Sequence, residues 1–443
     1  MNATMMTDLL AQNVDFIRFD ARSKKEVATD PPARAVDILL SRAGMWRLPT
    51  VLGIITAPTL RRDGSIVSKP GHDPATRLYV VPDQSLKMSF VPEHPTRDDA
   101  IKALNLLSDL LKGFPFCAEI DRAVALSGMI SPVVRGALGM VPLHAFTAPA
   151  PGTGKSYIAD VVSAIVSGRI CPVATTGKTE EETEKRLGGL LMAGFPVIAI
   201  DNVSSSLGGD LLCQMIERPI IRVRLLGKSD IVEIESRAVV YANGNNLVIE
   251  GDMTRRTLLA KLDAKVERPE ERTFTFDPVA RVLANRGDYI KAALTIVRAY
   301  MQAGRPARLP PLQSFGEWSD NVRSALVWLD TADPAESIKE VRKNDPVLAT
   351  LGTVLEAWRI AFLGPQTAQQ VATTLASFDP KNEPLLALRD ALLPVANVRG
   401  GIDATKLGYW LRKSKGRPVG KLRFDVAEVK QNVSHWVVVE DKP

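Results

Sequence analysis

Cysteine is nearly absent: three residues, Cys117, Cys171 and Cys213, in a chain of 443. They are odd in number and far apart, which excludes a disulfide framework and a cysteine-built zinc site. The four histidines, His72, His94, His144 and His435, are equally scattered, so they suggest no imidazole metal centre. Long hydrophobic runs are missing too. The longest uncharged stretch, Gly136 to Gly154, is broken by Pro142, Pro149 and Pro151 and does not read as a membrane span. The first twenty residues carry Asp8, Asp15 and Asp20 and lack a signal-peptide layout. These absences lead to the expectation of a cytoplasmic protein with no membrane partner. There is no internal repeat or low-complexity tract. No strand carries the paired Asp-x-Asp of a primase or polymerase metal site, which disfavours priming activity.

What is present is ordinary globular composition, 45% apolar and 24% charged, with length for roughly three domains. The formal net charge is +6 and unevenly distributed. From Val395 to Pro443, ten lysines and arginines face five acids, a net of +5. Such an end piece points to a polyanionic partner.

The most informative stretch is Pro151-Gly152-Thr153-Gly154-Lys155-Ser156. An apolar run from Val141 to Ala150 reads as a strand before it, and Ser156 to Val166 has helical periodicity after it. Strand, glycine-rich turn and helix form a phosphate cradle. The glycines let backbone N–H groups turn toward phosphates, Lys155 neutralises charge, and the Ser156 hydroxyl ligates Mg²⁺. Pro151, Gly152, Thr153, Gly154, Lys155, Ser156 and the adjoining Tyr157 are the expected nucleotide-contacting set, with ATP and Mg²⁺ as cofactors. One departure from the P-loop pattern is Pro149, which stands where the first glycine is usual.

Phe195 to Asn202 is an apolar strand ending in an acid, Asp201, which lies 46 residues after Lys155. A buried parallel strand presents its C-terminal end to ligands, so Asp201 is the second expected Mg²⁺-binding residue, beside Ser156. Asn202 follows it; an amide orients water but is a poor general base. Glu180 to Glu182 and Glu217 are other acids that could serve. The next strand, Ala238 to Ala242, ends in Asn243-Gly244-Asn245-Asn246. Asn245, ahead of Asn243, is placed to orient the attacking water, against the plainer reading of an Asn-Gly turn. Arg255 and Arg256 suit an arginine finger acting in a neighbouring subunit's site, or else a solvated basic turn. Arg323 is a candidate lid arginine facing the nucleotide. Ile220 to Ile234 alternates on both sides of Gly227-Lys228-Ser229-Asp230 and reads as a β-hairpin. Lys228 at its tip is a candidate grip on a nucleic-acid phosphate, or an incidental surface lysine.

The tail predicts an amphipathic helix from Asp403 to Arg417, then strands over Leu422–Val426 and Trp436–Val439 around a polar loop at 430–432. A basic helix followed by a hairpin suits DNA docking through Arg412, Lys413, Lys415 and Arg417, with a protein-binding module as the alternative. Elsewhere the pattern gives short strand-like runs before residue 95, a helix N-capped at Thr96, and another from Ala118 to Ile130. Further helices are expected near Tyr289–Gln302 and Ser314–Leu329, and from Ile338 to about Leu393.

With these motifs assembled, the chain resembles the AAA+ helicases of phages, prophages and mobile elements. It is most similar to the superfamily III-like helicase part of phage- and poxvirus-type primase-helicases. The likeness rests on Ala150–Ser156, Val197–Asn202, Tyr241–Leu247 and Asp252–Arg256, with the Phe114–Arg135 helical run and the Trp410 tail helix. It covers about 97 to 443. The resemblance implies an α/β fold: an AAA+ P-loop NTPase core with a parallel sheet over 136–300, preceded by a small α/β module over 1–95 and a helical collar over 96–135. A helical lid or linker over 301–393 and a winged-helix DNA-binding domain over 394–443 would follow. It also implies a homo-oligomeric ring, a hexamer, that hydrolyses ATP and moves on single-stranded and forked DNA in replication, alongside a separate primase or polymerase. An origin-binding initiator and a DNA-associated remodelling ATPase without unwinding activity are the alternatives.

Overall fold

The protein is described from a computed structural model, over residues 2–42, 44–45, 49–177, 179–204, 206–224 and 231–440. The chain divides into two units, Met1–Leu52 and Gly53–Pro443. The first holds helix α1 (Ala3–Asn13), an antiparallel pair β1 (Ile17–Asp20) and β2 (Lys25–Ala28), and helix α2 (Ala33–Ser41). Asn2 starts α1 by accepting the Met5 N–H, as an N-cap asparagine does.

The second unit opens with short strands β3 (Gly53–Ile55), β4 (Thr59–Leu60), β5 (Ile66–Val67), β6 (Gly71–Asp73) and β7 (Leu78–Val80). Arg61 ties them together by pairing with Asp73 at 2.6 Å. Helix α3 (Arg97–Leu110) begins at the expected N-cap, Thr96, and Asp99 completes a capping box in which the two side chains satisfy each other's backbone N–H. Its apolar face, with Ala100, Leu104 and Leu107, is buried. Helix α4 (Glu119–Ile130) follows.

The centre is an α/β layer structure. In chain order it contains β8 (Leu143–Ala148), α5 (Lys155–Ser167), β9 (Val173–Thr175), α6 (Glu180–Met192), β10 (Val197–Asp201) and α7 (Asp210–Glu217). The hairpin β11 (Ile220–Arg224) and β12 (Ile231–Glu235) comes next, then β13 (Val239–Asn245) and β14 (Thr257–Lys261). Strands β14, β8, β13, β10 and β9 form, in that spatial order, one parallel five-stranded sheet. Their sequences are near-continuous apolar runs because helices cover both faces of such a sheet. All strands point their C-terminal ends to one edge, and β13, fourth of the five in sequence, lies between β8 and β10. Glycine makes this insertion possible. A Cβ on Gly244 would stand 2.4 Å from the Val203 carbonyl oxygen, so β13 and the segment after β10 touch backbone to backbone there.

Helices α8 (Pro278–Ala284), α9 (Arg286–Gln302), α10 (Gly316–Trp318), α11 (Ser324–Trp328) and α12 (Ser337–Lys343) complete this core. Where the sequence predicts one helix over Ser314–Leu329, the chain widens into a π turn at Ser319–Arg323 between α10 and α11. The Ser324 hydroxyl donates to the Ser319 carbonyl at 2.8 Å, five residues back, matching the wider turn.

The C-terminal part has its own apolar core, including Leu355, Trp358, Val371, Leu392, Leu411 and Phe424. It comprises α13 (Pro346–Ala361), α14 (Ala368–Ala376), α15 (Glu383–Ala396), the two-residue strands β15 (Asn397–Val398) and β16 (Gly401–Ile402), α16 (Ala404–Ser414), and the hairpin β17 (Leu422–Lys430) with β18 (Val433–Glu440). Two differences from the sequence reading have local causes. Helix α16 stops at Ser414 because Lys415 bridges to Phe424 and Gly416 turns left-handed at φ +71°. The hairpin strands run longer than predicted because Gln431 and Asn432, at φ +49° and +63°, close a two-residue turn of the type that matches strand twist. Among the described residues no helix is long and apolar enough to cross a membrane.

The Gly244 contact generates a stability prediction. Gly244→Ala forces a methyl group onto backbone that cannot yield, at a cost of about 1–3 kcal/mol. Thermal unfolding should show a drop of roughly 2–4 °C per kcal/mol. An unchanged melting temperature would contradict the close approach.

Candidate functional site

The glycine-rich turn lies between β8 and α5 at the C-terminal edge of the sheet. Gly152 and Gly154 both have left-handed φ, +76° and +90°, which non-glycine residues adopt only with strain. Each is also sterically pinned. A Cβ on Gly152 would be 2.9 Å from the Glu270 backbone nitrogen, and one on Gly154 would be 3.1 Å from the Phe114 ring. Helix α5 starts at once after Gly154, so its unpaired N–H groups and positive dipole end face the turn. Proline at position 149 falls outside the two left-handed positions.

Lys155 is 8% exposed. Its ammonium donates to three acceptors: the Ala150 carbonyl at 3.1 Å, Thr153 Oγ1 at 3.2 Å and Asn245 Oδ1 at 2.8 Å. That matches the three donors a lysine has. Burial pushes its pKa below the ordinary lysine value, and the Asp201 charge opposes that shift.

Ser156, one residue on, donates from Oγ to Asp201 Oδ1 at 2.8 Å and lies 3.4 Å from Asn243 Oδ1. Asn243 is buried, and its Oδ1 also accepts the Asn202 N–H at 3.3 Å. Asn243 and Asn245 stand two apart on β13 and so share one face of the strand. Because β13 lies between β8 and β10, one amide reaches the lysine and the other reaches the serine and the strand bearing the acid. The site therefore uses both asparagines, and Asn245 meets Lys155 directly. Asn202 is exposed and left-handed, at φ +52°. Asparagine tolerates that conformation better than glutamate does, which accounts physically for the amide there.

The donor set fits a phosphate chain with a divalent cation. The ammonium and the N–H groups at the start of α5 can take phosphate oxygens, and the Ser156 hydroxyl and Asp201 carboxylate form a hard oxygen pair.

The other sequence candidates fall elsewhere. Tyr157 donates its hydroxyl to the Asp277 carboxylate, which caps α8, so it ties α8 to α5. Burial and that carboxylate push the Tyr157 pKa up to about 12. Arg255 and Arg256 are held by acids of their own chain. Arg255 donates to Asp252 at 2.8 Å and Glu217 at 3.2 Å, while Arg256, 3% exposed, pairs with Glu217 and Asp252. Arg323 pairs with Asp333 at 2.6 Å and donates to the Pro310 carbonyl. Lys228 lies outside the described residues, and the strands flanking it pair antiparallel from Ile220↔Glu235 to Arg224↔Ile231. Arg412 and Lys413 are exposed at the end of α16, whereas Lys415 stands 3.8 Å from Asp425 and Arg417 stands 3.7 Å from Asp345. Of the acids weighed as bases, Glu180 accepts the Asp210 N–H at 3.0 Å, Glu182 pairs with Arg186, and Glu217 holds the arginines.

Two segments pack on the loop without any sequence signal that places them there. Phe114 and Pro115 lie along the end of β14, with Asp263 donating to the Pro115 carbonyl at 2.9 Å, and Glu270 packs on Gly152. The Phe-Pro-Phe triplet at 114–116 was a visible apolar signal; nothing in the sequence marks Glu270.

No protein-family profile matches the chain, and no curated protein matches it. Among solved structures it is similar to two A-form apo structures of the NrS-1 C-terminal region, at 12% and 14% sequence identity with TM-scores of 0.42 and 0.40. Both comparisons cover 99% of this chain, and 99% and 100% of those chains. At this distance, any functional reading rests on this chain's own residues.

Glu217 supplies a pH test. Burial raises its pKa, but Ser314 and Arg256 outweigh this and hold it below the ordinary value of 4.5. A carboxylate depressed in the folded state adds stability above its unfolded pKa and loses it as pH falls through the folded value. The melting-temperature gap between wild type and Glu217→Gln should be full at neutral pH and narrow below about pH 4.5. A gap constant down to pH 3 would count against the ion pairs.

Proposed function

We propose that the chain is an ATP-dependent DNA helicase or translocase of a mobile genetic element or prophage, working as a ring-shaped AAA+ oligomer in DNA replication. The observation that carries this reading is the pairing of Lys155 with Asn245 and of Ser156 with Asp201 across three adjacent strands. A lysine, a hydroxyl, a carboxylate and two amides converge where a glycine turn opens a helix. This arrangement suits phosphoryl transfer, in which positioning and charge stabilisation do most of the work.

Bound Mg-ATP would supply the transferable phosphoryl group and the cation that offsets its charge. The residues then divide the task. Lys155 would take phosphate oxygens in place of its loop acceptors. Ser156 and Asp201, already paired through the Ser156 hydroxyl, would hold the cation. The Asn245 amide, which Lys155 holds in this structure, would then be available to orient water, and Asn202 follows Asp201 at the same edge. Gly152, Gly154 and Thr153 shape the loop, and Pro151 closes it. Arg255, the more exposed of the arginine pair at 32% against 3%, is the one to reach a neighbouring subunit's site, with Arg256 anchoring the turn from within. The tail, with its surplus of positive charge and the exposed Arg412 and Lys413, is the DNA-docking face of a winged-helix-like module. Single-stranded and forked DNA are the expected partners.

A forked-duplex assay separates this reading from its neighbours. Lys155→Ala should reduce both ATP hydrolysis and ATP-dependent unwinding by about 10²-fold or more. Hydrolysis without unwinding in the wild type would instead indicate a remodelling ATPase. Binding to one duplex sequence far above random duplex would indicate an initiator.

A further inference from the structure

Asp345 is a buried acid, 1% exposed, whose two oxygens are used unequally. Its Oδ1 caps α13 by accepting the Val347 N–H at 2.9 Å and also accepts the Gly251 N–H at 3.4 Å. Gly251 opens the turn that carries Arg255. Its Oδ2 is buried and has no hydrogen-bond donor. Facing it at 3.7 Å is Nη2 of Arg417, whose side chain is 39% exposed. This is an ion pair without a hydrogen bond, joining the residue that caps α13 to the basic segment after α16.

We propose that Asp345 holds Arg417 in check, so that Asp345 and a nucleic-acid phosphate compete for the same guanidinium. The inference rests on the reading of the tail as a DNA-docking face. Asp345 cannot follow Arg417 outward, because the cap and the Gly251 contact fix it from two directions. Arg417 sits between Gly416 and Pro418 beyond the end of α16, at the end of a long side chain that reaches solvent. A phosphate offers that fork two charge-assisted hydrogen bonds, which the present geometry does not provide. Taking it, however, strands a buried carboxylate without its countercharge, and that cost opposes binding. Arg412 and Lys413 carry no such restraint, so they make the first contact and Arg417 joins only when the phosphate is well placed.

The test uses the full chain, a fluorescently labelled single-stranded oligonucleotide and anisotropy over a series of salt concentrations. Asp345→Asn keeps an oxygen for the α13 cap, since asparagine caps as well as aspartate, and removes the competing charge. It should bind about three- to tenfold more tightly than wild type. Arg417→Gln should bind about three- to tenfold more weakly and lower the slope of log affinity against log salt by about one. The double variant should bind no more tightly than Arg417→Gln alone. An Asp345→Asn affinity equal to wild type, or a gain that persists in the Arg417→Gln background, would overturn the proposal. If Asp345→Asn proves unstable, Arg417→Gln decides by itself: an unchanged salt slope overturns the proposal. Wild type that binds no oligonucleotide overturns the DNA reading as well, whereas wild-type binding with both variants unchanged overturns this contact alone.

Discussion

The buried ammonium of Lys155 is the constraint around which the site is built. A cation taken out of water is costly unless each of its donors finds an acceptor. Here the acceptors come from three places: the turn before it, the Thr153 hydroxyl, and Asn245 on another strand. The lysine thus ties the glycine turn to the sheet. The same three bonds give it a resting position from which a phosphate, offering full negative charge, can draw it.

Sheet order makes that arrangement available. Residues 155, 201 and 245 are far apart in sequence, and they meet because β13 is inserted between β8 and β10 with every strand end at one edge. Asn243 and Asn245, two residues apart on one face of β13, then meet different partners because they stand at different heights along the strand. Gly244 lets the backbone after β10 lie against β13, and Asn202 accepts the left-handed turn that follows Asp201. The same logic extends outward. Tyr157 fastens α8, and Glu217 gathers the arginine pair with Ser314.

Much of this was legible in the sequence. The glycine turn, the apolar strand ending in Asp201, the N-cap at Thr96 and the tail's helix and hairpin each have a local cause that sequence spacing reveals. What was not legible depended on distant partners. The burial of Arg256 on Glu217, the contact of Glu270 with Gly152 and the position of Arg417 beside Asp345 join residues 39, about 120 and about 70 positions apart, with no periodic signal between them. The π turn before Ser324 escaped for a related reason. Its residues have ordinary helical character, and the deviation shows only in the hydrogen bond from Ser324 back to Ser319.

On the proposed reading, Lys155, Ser156 and Asp201 form one nucleotide site. Calorimetric titration of the full chain with ATP, with and without Mg²⁺, tests it most directly. The expected result is one binding event per chain that strengthens with Mg²⁺ in the wild type. In Asp201→Asn that Mg²⁺ dependence should disappear, while weak metal-free binding remains. Binding with the same Mg²⁺ dependence in both proteins, or none in the wild type, would contradict it.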